Sequence, residues 1–100
     1  MSGARFIAAA RLELLAEVIH YNEAEPDLGL RFVAAVEEAA ARAVAFPHAG
    51  SPSRSNTRRV ILKDFPFSLI YRPEREGIVV FAVAHHKRRP FYWQRRTRGR

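Results

Sequence analysis

Ile78-Val79-Val80-Phe81-Ala82-Val83-Ala84 is an apolar run without a single charge. β-Branched and aromatic residues dominate it, and its length suits a strand. Side chains alternate between the two faces of a strand, so this one is apolar on both. It belongs inside a sheet, covered on at least one side. A buried strand delivers the segment after it to a fixed place. That segment is His85-His86-Lys87-Arg88-Arg89-Pro90-Phe91-Tyr92-Trp93-Gln94-Arg95-Arg96, dense in cations, imidazoles and aromatics. Bases stack on aromatic faces and phosphates pair with Arg and Lys, so it suits a polyanionic or nucleic-acid partner.

The first half of the chain has a different period. Ala8, Leu12, Leu15 and Ile19 recur at helical spacing, with Arg11, Glu13 and Glu17 off that stripe, which predicts a helix over about 8–22 after a short extended Arg5-Phe6-Ile7. Asp27 is placed to cap a second helix over about 27–45, with Leu28, Phe32, Val36, Ala39 and Ala43 marking one face. Phe46 to Ser53, with two prolines and a glycine, breaks it. Strands are then expected at about 57–63, 67–72 and 78–85, joined by short turns at Asp64-Phe65-Pro66 and Pro73 to Gly77. Short connections favour an antiparallel meander. The expected fold is α+β: one domain spanning 1–100, with an N-terminal helical hairpin packed on a small antiparallel sheet of three to four strands. Residues 95–100 read as a basic tail.

Charge divides along the same line. Residues 1–50 hold four basic and seven acidic side chains, a net of −3; residues 51–100 hold thirteen basic and three acidic, a net of +10, which together give the formal +7. Solubility needs no such segregation, so the positive half points to a polyanionic or acidic partner. The chain has no cysteine, which excludes disulfides, thiolate metal sites and cysteine nucleophiles. No apolar run approaches the ~18 residues of a membrane span. The N-terminus, broken by Arg5 and Arg11, is a poor signal peptide. A cytoplasmic protein without membrane association is the expectation. No cofactor is implied, and no metal, because zinc needs several converging ligands and the four histidines do not cluster that way.

Within the first strand, alternation puts Arg59, Ile61 and Lys63 on one face and Arg58, Val60 and Leu62 on the other. Arg59 and Lys63 would then look outward from the open side of the sheet, ~13 Å apart. Exposed lysines on an edge strand also guard against aggregation.

The order helix, helix, Pro47-His48-Ala49-Gly50, Arg58-Arg59-Val60, Phe65-Pro66-Phe67-Ser68-Leu69-Ile70-Tyr71, Ala82-Val83-Ala84-His85, Arg88-Arg89-Pro90 and Tyr92-Trp93 resembles the RelE/ParE toxin superfamily. Leu28-Gly29-Leu30-Arg31-Phe32, opening the second helix, fits the same pattern. The resemblance covers about residues 5–96. It implies a small growth-inhibiting toxin of a type II toxin–antitoxin (plasmid stabilisation) system, neutralised by a cognate antitoxin in a hetero-oligomer. The superfamily divides by mechanism: RelE-like members cut mRNA on the ribosome, whereas ParE-like members poison DNA gyrase. Similar folds do not settle the chemistry.

RNA cleavage through the 2′-hydroxyl needs a proton acceptor, cations on the phosphate and a donor for the leaving oxygen. RelE-like proteins place lysines on the first meander strand, an arginine on the second, and an arginine plus a tyrosine after the third. Matched by spacing, Arg59 falls on the first of those lysines, Ile61 on the second, and Ser68 on the arginine. Arg72 shares Ser68's strand face as a partial substitute, and Lys87 and Tyr92 stand near the later pair. If the chain is a nuclease, the candidates are Arg59, Lys63, His85, Lys87 and Tyr92. The constellation is partial, and the resemblance leans to the ParE-like side, with the ribosome-dependent endonuclease and an inactive or merely nucleic-acid-binding member as alternatives.

For partner or nucleic-acid binding the candidates are Arg58, Arg59, Lys63, Arg72, His86, Arg88, Arg89, Trp93 and Arg95. His85 and His86 are adjacent on a strand, so only one of them can face a given site. Phe91, Tyr92 and Trp93 could stack bases, but closing the core or tying the C-terminal segment to the sheet is the favoured role, above all for Trp93, while the Tyr92 hydroxyl keeps a possible function. An acidic antitoxin segment, unstructured until bound, is expected to cross the sheet over Arg59, Lys63 and residues 85–93.

Overall fold

The computed structural model describes residues 3–98. Strand β1 (Ala4–Phe6) leads into helices α1 (Ala8–Ala24) and α2 (Leu28–Ala45); β2 (Ser51–Pro52), β3 (Arg58–Ile61), β4 (Phe67–Glu74) and β5 (Gly77–His85) come next, and a 3-10 turn (Gln94–Thr97) closes the chain. The architecture is α+β, as the two sequence periods imply. The sheet is larger than expected and mixed: its order is β1-β5-β4-β3-β2, with β1 parallel to β5 and the remaining pairs antiparallel. The two added strands have three and two residues, too short to leave a periodic signal. Gly77 makes the junction with β1 possible. At φ +120° a Cβ there would sit 1.9 Å from the Gly3 carbonyl oxygen, which accepts the Ile78 N–H at 2.6 Å.

The apolar run places β5 between β1 and β4, covered on both faces. Ile78, Val80 and Val83 join Phe32, Val36, Leu69 and Tyr71 in the core beneath the helices. Ala82 and Ala84 face the other way, where Trp93, 3 % exposed, packs on them and on Ile70. The expected basic tail is therefore docked through Thr97, itself buried; Gly99 and Arg100, in the part assigned to that tail, lie outside the described residues.

Helix α2 buries the expected face: Phe32, Val36, Ala39 and Ala43 are at most 2 % exposed. Asp27 does not cap it. It adopts φ 69° and makes no side-chain cap bond. Asn22 replaces it across the helical hairpin, its Oδ1 accepting the Gly29 N–H at 2.8 Å. Any Cβ at position 29 would lie 2.6 Å from that Oδ1, so this tertiary cap requires glycine.

Helix α1 departs most from expectation. Its periodic stripe faces solvent, with Leu12, Leu15 and Ile19 exposed by 67, 57 and 60 %. The buried side carries Ala10 with Leu14, Val18 and Tyr21. Both faces are apolar, so periodicity cannot choose between them. Ring packing favours the second: Tyr21 meets Phe32 at 5.2 Å, Phe65 at 5.2 Å and Phe67 at 6.3 Å between centroids. Glu13 adds a polar anchor to Arg96 at the C-terminal end of the chain. Among the described residues, no helix is long and apolar enough to cross a membrane.

Candidate functional site

The outer sheet face, away from the helices, is organised by strand register. Arg59, Ile70 and Ala82 form one cross-strand row, and Ile61, Ser68 and Ala84 the next. The segment after β5 folds over part of this face and leaves a groove of about 200 Å³ between itself and the rows. Arg59, Ser68, His86, Arg88 and Arg89 border it, and none of its lining residues is acidic.

Register also separates the two histidines. His86 enters the groove: its Nε2 lies 2.9 Å from the Ser68 Oγ, and its backbone N–H donates to the Pro66 carbonyl at 2.8 Å. With Nε2 unprotonated the serine donates; with Nε2 protonated it accepts. His85 points to the helix side. Its ring meets Phe67 edge-on at 4.9 Å, and its Nδ1 accepts the Lys87 N–H at 2.9 Å. It borders the groove but is held by the core.

Several candidate cations hold the structure together. Arg58 donates to the His48 and Gly50 carbonyls at 3.0 and 2.8 Å, fixing the loop into β2. Arg72 donates to Ser55 O at 2.6 Å and Asn56 O at 3.4 Å, and lies over the Phe81 ring. It anchors the 54–57 turn and does not stand in for an arginine at position 68. Lys63 is not on the strand at all, because β3 ends at Ile61. Its Nζ lies 3.9 Å from Glu38 on α2, on the helix side. Glu38 also accepts from Arg42 at 2.6 and 3.0 Å, and these bonds, with the nearby cations, hold its carboxyl below the ordinary value. The expected outward pair of Arg59 and Lys63 is thus divided between the two faces.

Trp93, a stacking candidate, is buried in the outer core and offers no free ring face. Tyr92 is engaged as well. Its hydroxyl donates to Glu13 Oε2 at 2.7 Å, with the Arg88 guanidinium 3.8 Å from its ring centroid. Burial, then the bond to and charge of Glu13, raise its pKa well above that of a free phenol. Arg59, Lys87, Arg89 and Arg95 are exposed, and their side chains make no hydrogen bond or ion pair among the described residues. Arg59 and Arg89 alone of these border the groove. Among the described residues no group of His, Asp or Glu is arranged to hold a metal ion.

Two arrangements escaped sequence reasoning. The first is the Ser68–His86 pair, eighteen positions apart, which becomes visible only with the β4–β5 register. The second is a clasp around Glu13. Parallel pairing with β1 ends where Ile7 N–H donates to Val80 O. Beyond that point Glu13 Oε1 accepts the Val83 N–H at 3.0 Å, and Arg96 donates to Phe81 O at 3.0 Å. Arg96 also bridges both Glu13 oxygens at 3.0 Å. An ion pair thereby takes the place of strand hydrogen bonds on the open edge of β5. The only hint in the sequence was a carboxylate in an otherwise apolar stretch of α1.

The helical hairpin thus packs on a mixed sheet whose outer face carries a cationic groove without acidic side chains, beneath the C-terminal segment. A family model described as the ParE toxin of the type II toxin–antitoxin system parDE matches residues 7–90. The chain belongs to that ParE toxin family, and membership implies a cognate antitoxin as its partner. Its fold is similar to a solved chain of the chromosomal ParDE toxin–antitoxin system from P. aeruginosa: TM-score 0.72 and 26 % identity, over 85 % of this chain and 96 % of that one. Among curated proteins, none matches.

Proposed function

We propose that the chain is a growth-inhibiting toxin that acts in the cytoplasm on DNA gyrase and does not cut mRNA. The observation that carries this reading is the environment of Ser68. The position matched to the phosphate-binding arginine of RelE-like nucleases holds a serine that is 2 % exposed and bonded to His86. Two of the other candidates for such a nuclease are engaged elsewhere: Lys63 lies beside Glu38, and Tyr92 is bound to Glu13 with its proton held more tightly than in a free phenol. A phenol in that state is a poor acid or base near neutrality. Arg59, His86 and Arg89 leave a surface that attracts phosphates without the set that cleaves them, which suits a protein engaging gyrase while the enzyme holds DNA. Maintenance of the replicon encoding the pair, as in plasmid stabilisation, would result from such poisoning.

The test is direct. Purified gyrase, supercoiled plasmid and ATP are incubated with the toxin, and cleaved DNA is trapped with detergent. Linear plasmid accumulating with toxin dose, and disappearing when antitoxin is added, is the expected result. In parallel, translating ribosomes are supplied with toxin and their mRNA is mapped. Site-specific breaks in mRNA with gyrase unaffected would replace this reading with the ribosomal one, and His86 and Arg59 would become the first residues to substitute.

A further inference from the structure

Aromatic rings beside cations commonly serve to stack bases. In the groove on the outer sheet face those rings are already in use. Phe91 lies under the Arg54 guanidinium, 3.8 Å from its ring centroid, and meets Trp93 at 6.0 Å. Tyr92 lies under Arg88 at 3.8 Å, with Arg96 at 5.2 Å, and Trp93 is buried. A base could stack only by displacing a guanidinium. Phe91 is also held at φ 60°, a left-handed conformation that a bulky residue adopts only where its surroundings impose it, as they do at binding sites. Arg54 on its ring, and the Gln94 amide donating to Ser55 Oγ at 3.1 Å, tie this turn to the 54–57 turn. The wall that carries Arg88 and Arg89 is thereby fixed in place.

The buried serine decides which nitrogen of His86 carries the proton. Ser68 is 2 % exposed, and its Oγ meets only His86 Nε2 among the described residues. If Nε2 of the neutral ring donated, the hydroxyl hydrogen would be left buried without an acceptor, a loss larger than the usual gain from one bond. The serine therefore donates to Nε2, and the proton of the neutral ring sits on Nδ1. That nitrogen makes no hydrogen bond among the described residues. It is a donor whether the ring is neutral or charged.

We propose that the groove binds the phosphodiester backbone of a DNA strand, through Arg59, Arg89 and the Nδ1–H of His86, and reads no base. Both guanidiniums are exposed and make no hydrogen bond or ion pair among the described residues, so neither has to leave a protein partner. No lining residue is acidic, so a phosphate meets no repulsion. Binding of this kind is indifferent to sequence and sensitive to salt. The inference deepens the gyrase reading, on which the choice of DNA as the strand rests: the toxin has its own hold on the DNA that gyrase carries.

Binding is measured on the full chain without gyrase or antitoxin, by fluorescence anisotropy of labelled oligothymidylate, oligodeoxyadenylate and an abasic strand of equal length. The expected result is one affinity for all three, with a dissociation constant on the order of 1–100 µM at physiological salt. Arg59→Gln and Arg89→Gln should each lower the slope of log affinity against log salt by about 0.7. Arg75→Gln, at the opposite end of the β4–β5 hairpin, should not, and all three variants should keep the parent melting curve. Nitrogen-15 shifts of His86, taken where the ring is neutral, should report the Nδ1–H tautomer, and Ser68→Ala should lose that preference. Absence of binding overturns the proposal, as does an equal loss with Arg75→Gln or a preference for one base. A marked preference for RNA of the same length, or displacement of DNA by a polyglutamate peptide at lower concentration than by unlabelled DNA, would assign the groove to another partner and overturns it too. The gyrase cleavage assay separates the two readings. DNA binding without cleavage leaves the groove assignment standing and removes gyrase as the target; cleavage by a toxin that binds no DNA retains gyrase and overturns the groove assignment.

Discussion

Substituting Glu13 by Gln tests the account of the clasp. The carboxylate accepts from Val83 N–H, the Tyr92 hydroxyl and both terminal nitrogens of Arg96, at 2.7 to 3.0 Å. The side chains of Glu13 and Arg96 are 15 and 22 % exposed, so the pair is screened less than a surface ion pair. Removing one partner of a fully buried pair costs about 3–5 kcal/mol. Glutamine keeps the shape and one acceptor oxygen, and the remaining exposure softens the loss, so we expect about 2–3 kcal/mol. A chain of this length has roughly 5–15 kcal/mol in total, and each kcal/mol moves Tm by about 4–8 °C. The melting temperature at neutral pH, monitored by circular dichroism, should therefore fall by roughly 10–20 °C. The double variant Glu13→Leu/Arg96→Leu should be more stable than Glu13→Leu alone, because it leaves no guanidinium without its carboxylate. A fall of under ~3 °C for Glu13→Gln, well below the per-kcal shift, would show that water replaces the clasp at little cost and that β5 needs no such seal.

Other substitutions probe the remaining contacts. Trp93→Ala empties the outer core and should cost about 3–5 kcal/mol, read from urea unfolding; a surface-like loss below ~1 kcal/mol would mean that the C-terminal segment is not docked. Tyr92→Phe should leave toxicity unchanged and alter alkaline behaviour. The folded pKa of Tyr92 is raised above the ordinary 10.0, so its contribution is fully present below pH 10 and is lost as pH rises beyond it; the variant's stability profile should be flatter there. Glu38 is shifted the other way, below 4.5, so its small contribution is present above that pH and disappears on further acidification. Acid titration of Glu38→Gln, monitored by fluorescence, should show less loss than the parent. Charge reversal at Arg59 should weaken binding of an acidic antitoxin segment and reduce its salt dependence, whereas reversal at Lys63, on the helix side, should do so far less; a loss at Lys63 alone would place the docking surface on the helix side.

How much of the molecule was legible in the sequence depended on whether the deciding interaction was local. The β5 run, the inward face of α2 and the change of period after residue 50 stem from alternation, propensity and turn residues, which a sequence carries in full. So does the segregation of charge, and with it the presence of a cationic surface. Helix α1 was misread because both of its faces are apolar. Only Tyr21 meeting Phe32, Phe65 and Phe67, with Glu13 meeting Arg96, selects the face turned inward. The pairing of β1 with β5 is a three-residue contact across more than seventy positions, with no periodicity of its own. Lys63 lost its expected place because β3 stops at Ile61, a limit set by the sheet. The groove shows the same division. Its chemistry, arginines and histidines without carboxylates, was written in the residues after β5. That His86 and not His85 enters it, that Ser68 is its partner and that Tyr92 is bound away was decided by strand register and by the clasp. Those contacts are long-range, and their energies do not exist until the chain has closed on itself.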